Sequence, residues 1–74
     1  MSRYYFNITY PGEFIRDRYG HELRNLTAAQ DQAFNLAQRI LGQGQHWHRA
    51  VFHIISEGQE VATVPFSVGG KHFP

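Results

Sequence analysis

T-A-A-Q-D-Q-A-F-N-L-A-Q-R-I-L, running from Thr27 to Leu41, is the stretch that decides the fold. At about 100° per residue, Leu26, Ala29, Ala33, Leu36, Ala37 and Ile40 fall on one face. Phe34 and Leu41 stand on its shoulder, and Gln32, Asn35, Gln38 and Arg39 lie opposite. The pattern predicts an amphipathic helix that packs by one stripe against a second layer. Thr27 reads as its N-cap, with Gln30 completing a capping box. Gly42 suits a left-handed C-cap.

Outward from the helix the period changes to two. Tyr4, Phe6, Ile8 and Tyr10 alternate with Arg3, Tyr5, Asn7 and Thr9, which predicts a strand with the first set facing the core. Pro11-Gly12 signals a turn, and Glu13 to Asp17 reads as a short second strand. Asp17-Arg18-Tyr19-Gly20 fits a type I turn, with Asp at its first position and Gly at its fourth. Beyond the helix, Gly42 to Arg49 is a polar connection and Ala50 to Ser56 a nearly continuous apolar strand. Glu57-Gly58 is a two-residue turn, and Val61 to Phe66 returns as the last strand. Pro65 cannot donate to a ladder, so that strand lies at an edge or ends there. The expected fold class is α+β, in the order ββαββ, with one amphipathic helix on a small antiparallel sheet. Residues 1–66 form the expected single domain, and 67–74 a flexible C-terminal tail.

The chain has 74 residues, of which 42% are apolar and 18% charged, so it belongs with folded domains and not with disordered chains. Aromatics at 15% are many for this length, and each must count, because a small domain buries a low fraction of its surface. With no cysteine there is neither a disulfide nor a thiolate nucleophile or ligand. No apolar run approaches the length of a membrane helix. The first residues lack the apolar core and small-residue cleavage site of a signal peptide, and the expected location is the cytoplasm. A formal net charge of +1 sets the chain apart from strongly basic nucleic-acid binders.

Several motifs together carry a resemblance. Arg3-Tyr4-Tyr5-Phe6 opens the chain, and Asp17-Arg18-Tyr19-Gly20-His21-Glu22-Leu23 follows the first hairpin. An Ala-rich helix holds Ala28, Ala29 and Ala33, Gly58 sits in the second turn, and Val64-Pro65-Phe66 closes it. In order and spacing these resemble a family of short proteobacterial proteins classed as a domain of unknown function, with M-x-R-Y-F-F, D-x-x-G-x-E-L and L-P-F motifs. Tyr5 stands where that family usually has Phe, and Val64 where it has Leu. The resemblance implies a bacterial source and the architecture above, and it implies no activity. A second resemblance is to small antitoxins of the HicB type, which also set a Tyr-rich strand before an Ala-rich helix. Their acidic N-terminal strands and DNA-binding extension are missing here.

Candidate chemistry is sparse. His46-Trp47-His48 on an extended segment would point both imidazoles one way, but His53 would point to the other side if the strand continued, and no third ligand converges on the pair. No metal and no cofactor is expected. Trp47 is expected to cover an edge of the core. Asp17, His21 and Glu22 lie close in sequence, yet no nucleophile or oxyanion donor accompanies them, so no catalytic residue is assigned and the chain is not expected to be an enzyme.

The functional expectation is a small interaction domain that associates with itself, and with no membrane. One helix covers one face of a sheet, and the strand from Ala50 carries apolar side chains on both faces. Phe52 and Ile54 lie on one, Val51 and Ile55 on the other. With Tyr5 these five are the candidate interface residues, and leaving one set in water would expose a contiguous apolar patch. A different protein partner fits the same face. The alternative is a nucleic-acid-binding or HicB-type regulatory module that stacks bases against Arg3, Arg16, Arg18 and Tyr19.

Overall fold

The computed structural model describes residues 1–67. Its elements are β1 (Ser2–Tyr10), β2 (Glu13–Ile15), β3 (His21–Leu23), α1 (Leu26–Leu41), a short 3-10 segment (Gln45–Arg49), β4 (Val51–Ser56) and β5 (Gln59–Pro65). The strands form one antiparallel sheet in the order β2-β1-β4-β5, with β3 also paired to β1. The helix lies across one face, as the α+β reading requires. Among the described residues no helix is long and apolar enough to cross a membrane.

The alternation in β1 is kept as read. Tyr4, Phe6 and Ile8 are buried, and Tyr10 packs against their cluster. In α1 the stripe narrows to Ala29, Ala33 and Ala37, which are all fully buried. Four-residue spacing stacks them in one row. Small side chains in that row let the helix backbone come down onto the sheet, and Leu26, Leu36, Ile40 and Leu41 fill the margins. From β4, Phe52 and Ile54 meet this row.

Both expected helix caps are corrected. The N-cap is Asn25, whose Oδ1 accepts from the Ala28 N–H at 2.9 Å. Asn is the stronger cap, and starting there brings Leu26 into the first turn and onto the core. Thr27 lies within the helix. Gly42 does not turn left-handed; it stays near right-handed values, φ −66° and ψ −10°. The Gln43 N–H donates to the Ile40 carbonyl and the chain tightens toward the 3-10 segment instead.

The expected polar connection therefore has structure of its own. The 3-10 segment swings Trp47 over the end of the core, 4.7 Å between ring centroids from Tyr10 and stacked on Phe66 at 6.1 Å. Trp47 does cover the core edge, as expected. At the β4–β5 turn Glu57 and Gly58 both have positive φ, 54° and 79°, the conformation of a two-residue hairpin turn. Strand β5 is an edge strand that ends at Pro65, and Phe66 then turns inward, with its N–H donating to the Ala50 carbonyl at 2.9 Å. Apart from Ser67, the expected tail lies outside the described residues.

A further strand, β3, was not expected. Strands β2 and β3 are two halves of one edge strand, paired to opposite ends of β1. Between them the segment Arg16–Gly20 leaves the ladder, opposite Tyr5, Phe6 and Asn7.

Candidate functional site

The gap in the edge strand is closed by a side chain. Asp17 Oδ2 accepts from the Phe6 N–H at 3.0 Å, a donor that a regular strand would have satisfied with a carbonyl. Asp17 Oδ1 accepts from the N–H groups of Tyr19 (3.1 Å) and Gly20 (3.0 Å). The Asp17 N–H itself donates to Asn7 Oδ1 at 2.9 Å. Gly20 has φ +70°, and a Cβ there would lie 3.0 Å from the Tyr4 carbonyl oxygen and from the Tyr5 ring. The Asp and the Gly of this turn are thus accounted for by backbone geometry.

Partial burial pushes the Asp17 carboxyl up. The N–H donors of Gly20, Phe6 and Tyr19, with His21 nearby, outweigh it and hold the group below its ordinary value. A carboxyl lowered on folding stabilises fully above its unfolded pKa, about 4, and loses that contribution as pH falls through the folded value. Asp17→Ala is expected to lower stability by about 1–3 kcal/mol at neutral pH, because three N–H groups lose their acceptor. Urea melts at pH 7 and pH 3 check this: the gap between variant and unsubstituted chain should narrow at the lower pH. An equal gap at both pH values would show that the carboxylate charge is not what matters.

The face of the sheet turned away from α1 carries four cross-strand rows, the outermost being Arg3 with Glu22. Phe14, Thr9, Val51 and Pro65 make one, Asn7, His53 and Thr63 the next, and Tyr5, Ile55 and Glu60 the third. Of the candidate interface residues, Tyr5, Val51 and Ile55 lie on this face and are partly exposed. Phe52 and Ile54 do not belong with them. They are 2% and 0% exposed beneath the helix, and a second molecule cannot reach them. Nor is the open face one apolar patch. His53 splits it, bonded through Nε2 to Thr9 Oγ1 (2.8 Å) and through Nδ1 to Glu60 Oε1 (2.9 Å). Phe14, 59% exposed, belongs to the face and was missed, because β2 is too short for its alternation to declare a side.

The alternative set is brought together at the edge loop. Arg3 Nη1 donates to the Tyr19 carbonyl at 2.6 Å, and Arg16 and Arg18 flank Asp17 on the same loop. Tyr19 is 81% exposed. Arg3, however, is paired with Glu22 at 3.0 Å. Beside the loop, on the open face, lies a depression of about 540 Å³ walled by Tyr5, Asn7, Arg16, Asp17, Arg18 and Ile55, with Gly58 at its rim. Asn7 was also missed in sequence; a lone Asn inside an alternating strand was the signal.

The histidines do not converge. His46 and His48 sit in the 3-10 segment and not on an extended one, so they no longer share a side. His46 lies against Trp47, 4.9 Å between centroids. Among the described residues no group of three His, Cys, Asp or Glu is placed to hold a metal ion. Of the sequence neighbours, Asp17 is held by backbone N–H groups with His21 nearby, His21 lies edge-on to Phe6 at 5.4 Å, and Glu22 pairs with Arg3.

Compared with known proteins, residues 3–67 match a family model described as Domain of unknown function (DUF6894). No curated protein and no solved structure matches.

Proposed function

The chain belongs to the DUF6894 family, and from that footing we propose that it is a non-enzymatic interaction domain whose partner is a second copy of itself. The observation that supports this reading is the uncovered sheet face. Its Phe14–Thr9–Val51 row and its Tyr5–Ile55 row stand on either side of the polar Asn7–His53 row, and the ion-paired Arg3–Glu22 row closes one end. A two-fold axis along the Asn7–His53 row would set the Phe14–Val51 row of one copy on the Tyr5–Ile55 row of the other, with Arg3 and Glu22 at the rim, and such a contact is isologous.

Pairing through sheet edges is the weaker option. Strand β5 carries a bulge at Val61, since Ile54 faces Ala62 while Ile55 faces Glu60, and it ends in Pro65. The opposite edge is two three-residue strands separated by a loop. Bulges, proline and short strands all oppose edge-to-edge growth. That Asp17 is occupied by backbone N–H groups and Glu22 by Arg3 supports the non-enzymatic reading. A cytoplasmic setting in a bacterium accords with the cysteine-free composition and with the family resemblance.

Light scattering coupled to size exclusion, at tens of micromolar, tests the proposal. A dimer is expected. Val51→Asp, on the open face and away from the helix contact, is expected to give a folded monomer. A monomer from the unsubstituted chain would remove the proposal.

The second reading, a nucleic-acid-binding or antitoxin-like module, is favoured by the gathering of Arg3, Arg16, Arg18 and Tyr19 around one loop. The pairing of Arg3 with Glu22 counts against it.

A further inference from the structure

We propose that the depression beside the Arg16–Gly20 loop binds a small planar organic anion, a ring that carries a phosphate or a carboxylate. Its volume of about 540 Å³ falls within the range of small-molecule sites, roughly 300–1,000 Å³. Its walls differ in kind. Its loop side is lined by Arg16 and Arg18, both exposed and neither in an ion pair among the described residues. Its floor is lined by Tyr5 and Ile55, direct cross-strand neighbours, with the Tyr5 ring packed beside Gly20 of the loop.

Asp17 in the same wall offsets one of the two arginine charges, and the wall keeps a net positive charge. Both Asp17 oxygens already accept backbone N–H groups. Asn7 Oδ1 is taken by the Asp17 N–H, which leaves its Nδ2 as a further donor. The site therefore combines donors, two of them on cationic side chains, with the Tyr5 ring as an aromatic surface. Guanidinium groups recognise planar or tetrahedral oxyanions through paired N–H donors. Neither an apolar neutral ligand nor a cation meets these walls as well.

A second depression across Tyr5, of about 470 Å³, is less suited. It carries Glu22 and Glu57, and its Arg3 is held by Glu22.

The site lies within one chain and does not rest on self-association, although it shares Tyr5 and Ile55 with the proposed contact face. Amide chemical shifts are followed while AMP, benzoate, adenosine and inorganic phosphate are added separately. The titrations use both the unsubstituted chain and the Val51→Asp chain, so a site covered by a second copy is not missed. AMP or benzoate is expected to give saturable shifts at Tyr5, Asn7, Ile55 and Gly58. Adenosine lacks the anion and phosphate lacks the ring, so each is expected to bind about tenfold more weakly or worse. Arg16→Gln combined with Arg18→Gln is expected to abolish the shifts and leave the melting curve in place, because both side chains are exposed. The proposal fails if neither ring-bearing anion saturates in either chain, if adenosine binds as well as AMP, or if the double variant binds unchanged. A uridine oligonucleotide that binds this loop while AMP does not would also overturn it, in favour of strand recognition. Mass is read separately by light scattering, so failure here leaves the dimer standing or falling on its own measurement.

Discussion

Ala33→Asp unfolds the domain. Ala33 is fully buried at the centre of the row Ala29, Ala33, Ala37, where α1 meets the sheet. A carboxylate there lies among apolar neighbours, with no buried polar or charged residue in the described core to pair with it. Such a group is several kcal/mol out of place, about 3–5 when a buried charge lacks its partner. It also adds volume where the backbones are closest. A small domain without a disulfide has about 3–5 kcal/mol of stability to lose. Far-UV circular dichroism and a urea melt read the outcome. Asn35→Asp on the exposed face is the control, expected to shift stability by no more than about 0.5 kcal/mol. A cooperative melt for Ala33→Asp that matches the unsubstituted chain would mean that another face of the helix meets the sheet.

Phe66→Ala is expected to cost about 3–5 kcal/mol, the usual range for removing a buried aromatic ring. Phe66 is 0% exposed, although it follows a proline at the end of an edge strand. Its ring lies 4.8 Å from Phe52 and stacks on Trp47, and its N–H fastens the end of β5 to Ala50. Removing the ring opens a cavity between sheet, helix end and 3-10 segment. Because Trp47 forms one wall, its fluorescence reports the loss directly. A red-shifted emission with a lowered urea midpoint is the expected pair of signals. An unchanged midpoint would show that the Trp47 end of the core collapses to fill the space.

The motifs that carried the family resemblance take on plain physical meanings here. Tyr4 and Phe6 are core, Asp17 and Gly20 hold a break in an edge strand, and Glu22 pairs with Arg3. Ala29 and Ala33 bring helix to sheet, and Phe66 closes the far end. Asp17 had a local explanation in sequence, a turn. Its longer reach, to the Phe6 N–H across the sheet edge, had none, because a hydrogen bond between residues far apart in the chain leaves no period behind it. The candidate interface shows the same division. Val51, Phe52, Ile54 and Ile55 were read together as apolar, and only the helix position decides which pair is core and which is surface.

What the sequence determined by itself is whatever local backbone geometry writes into spacing. The 3.6-residue period from Leu26 to Leu41, the two-residue period of Tyr4, Phe6, Ile8 and Tyr10, and the turn at Glu57-Gly58 all follow from φ and ψ of neighbouring residues. Tertiary structure alone decided the order β2-β1-β4-β5, the split of the edge strand around Asp17, and the meeting of Arg16 and Arg18 with Tyr5 and Ile55. Those depend on which distant segments win each other's hydrogen bonds and apolar faces once loop closure is set against burial, a competition settled by the whole chain at once.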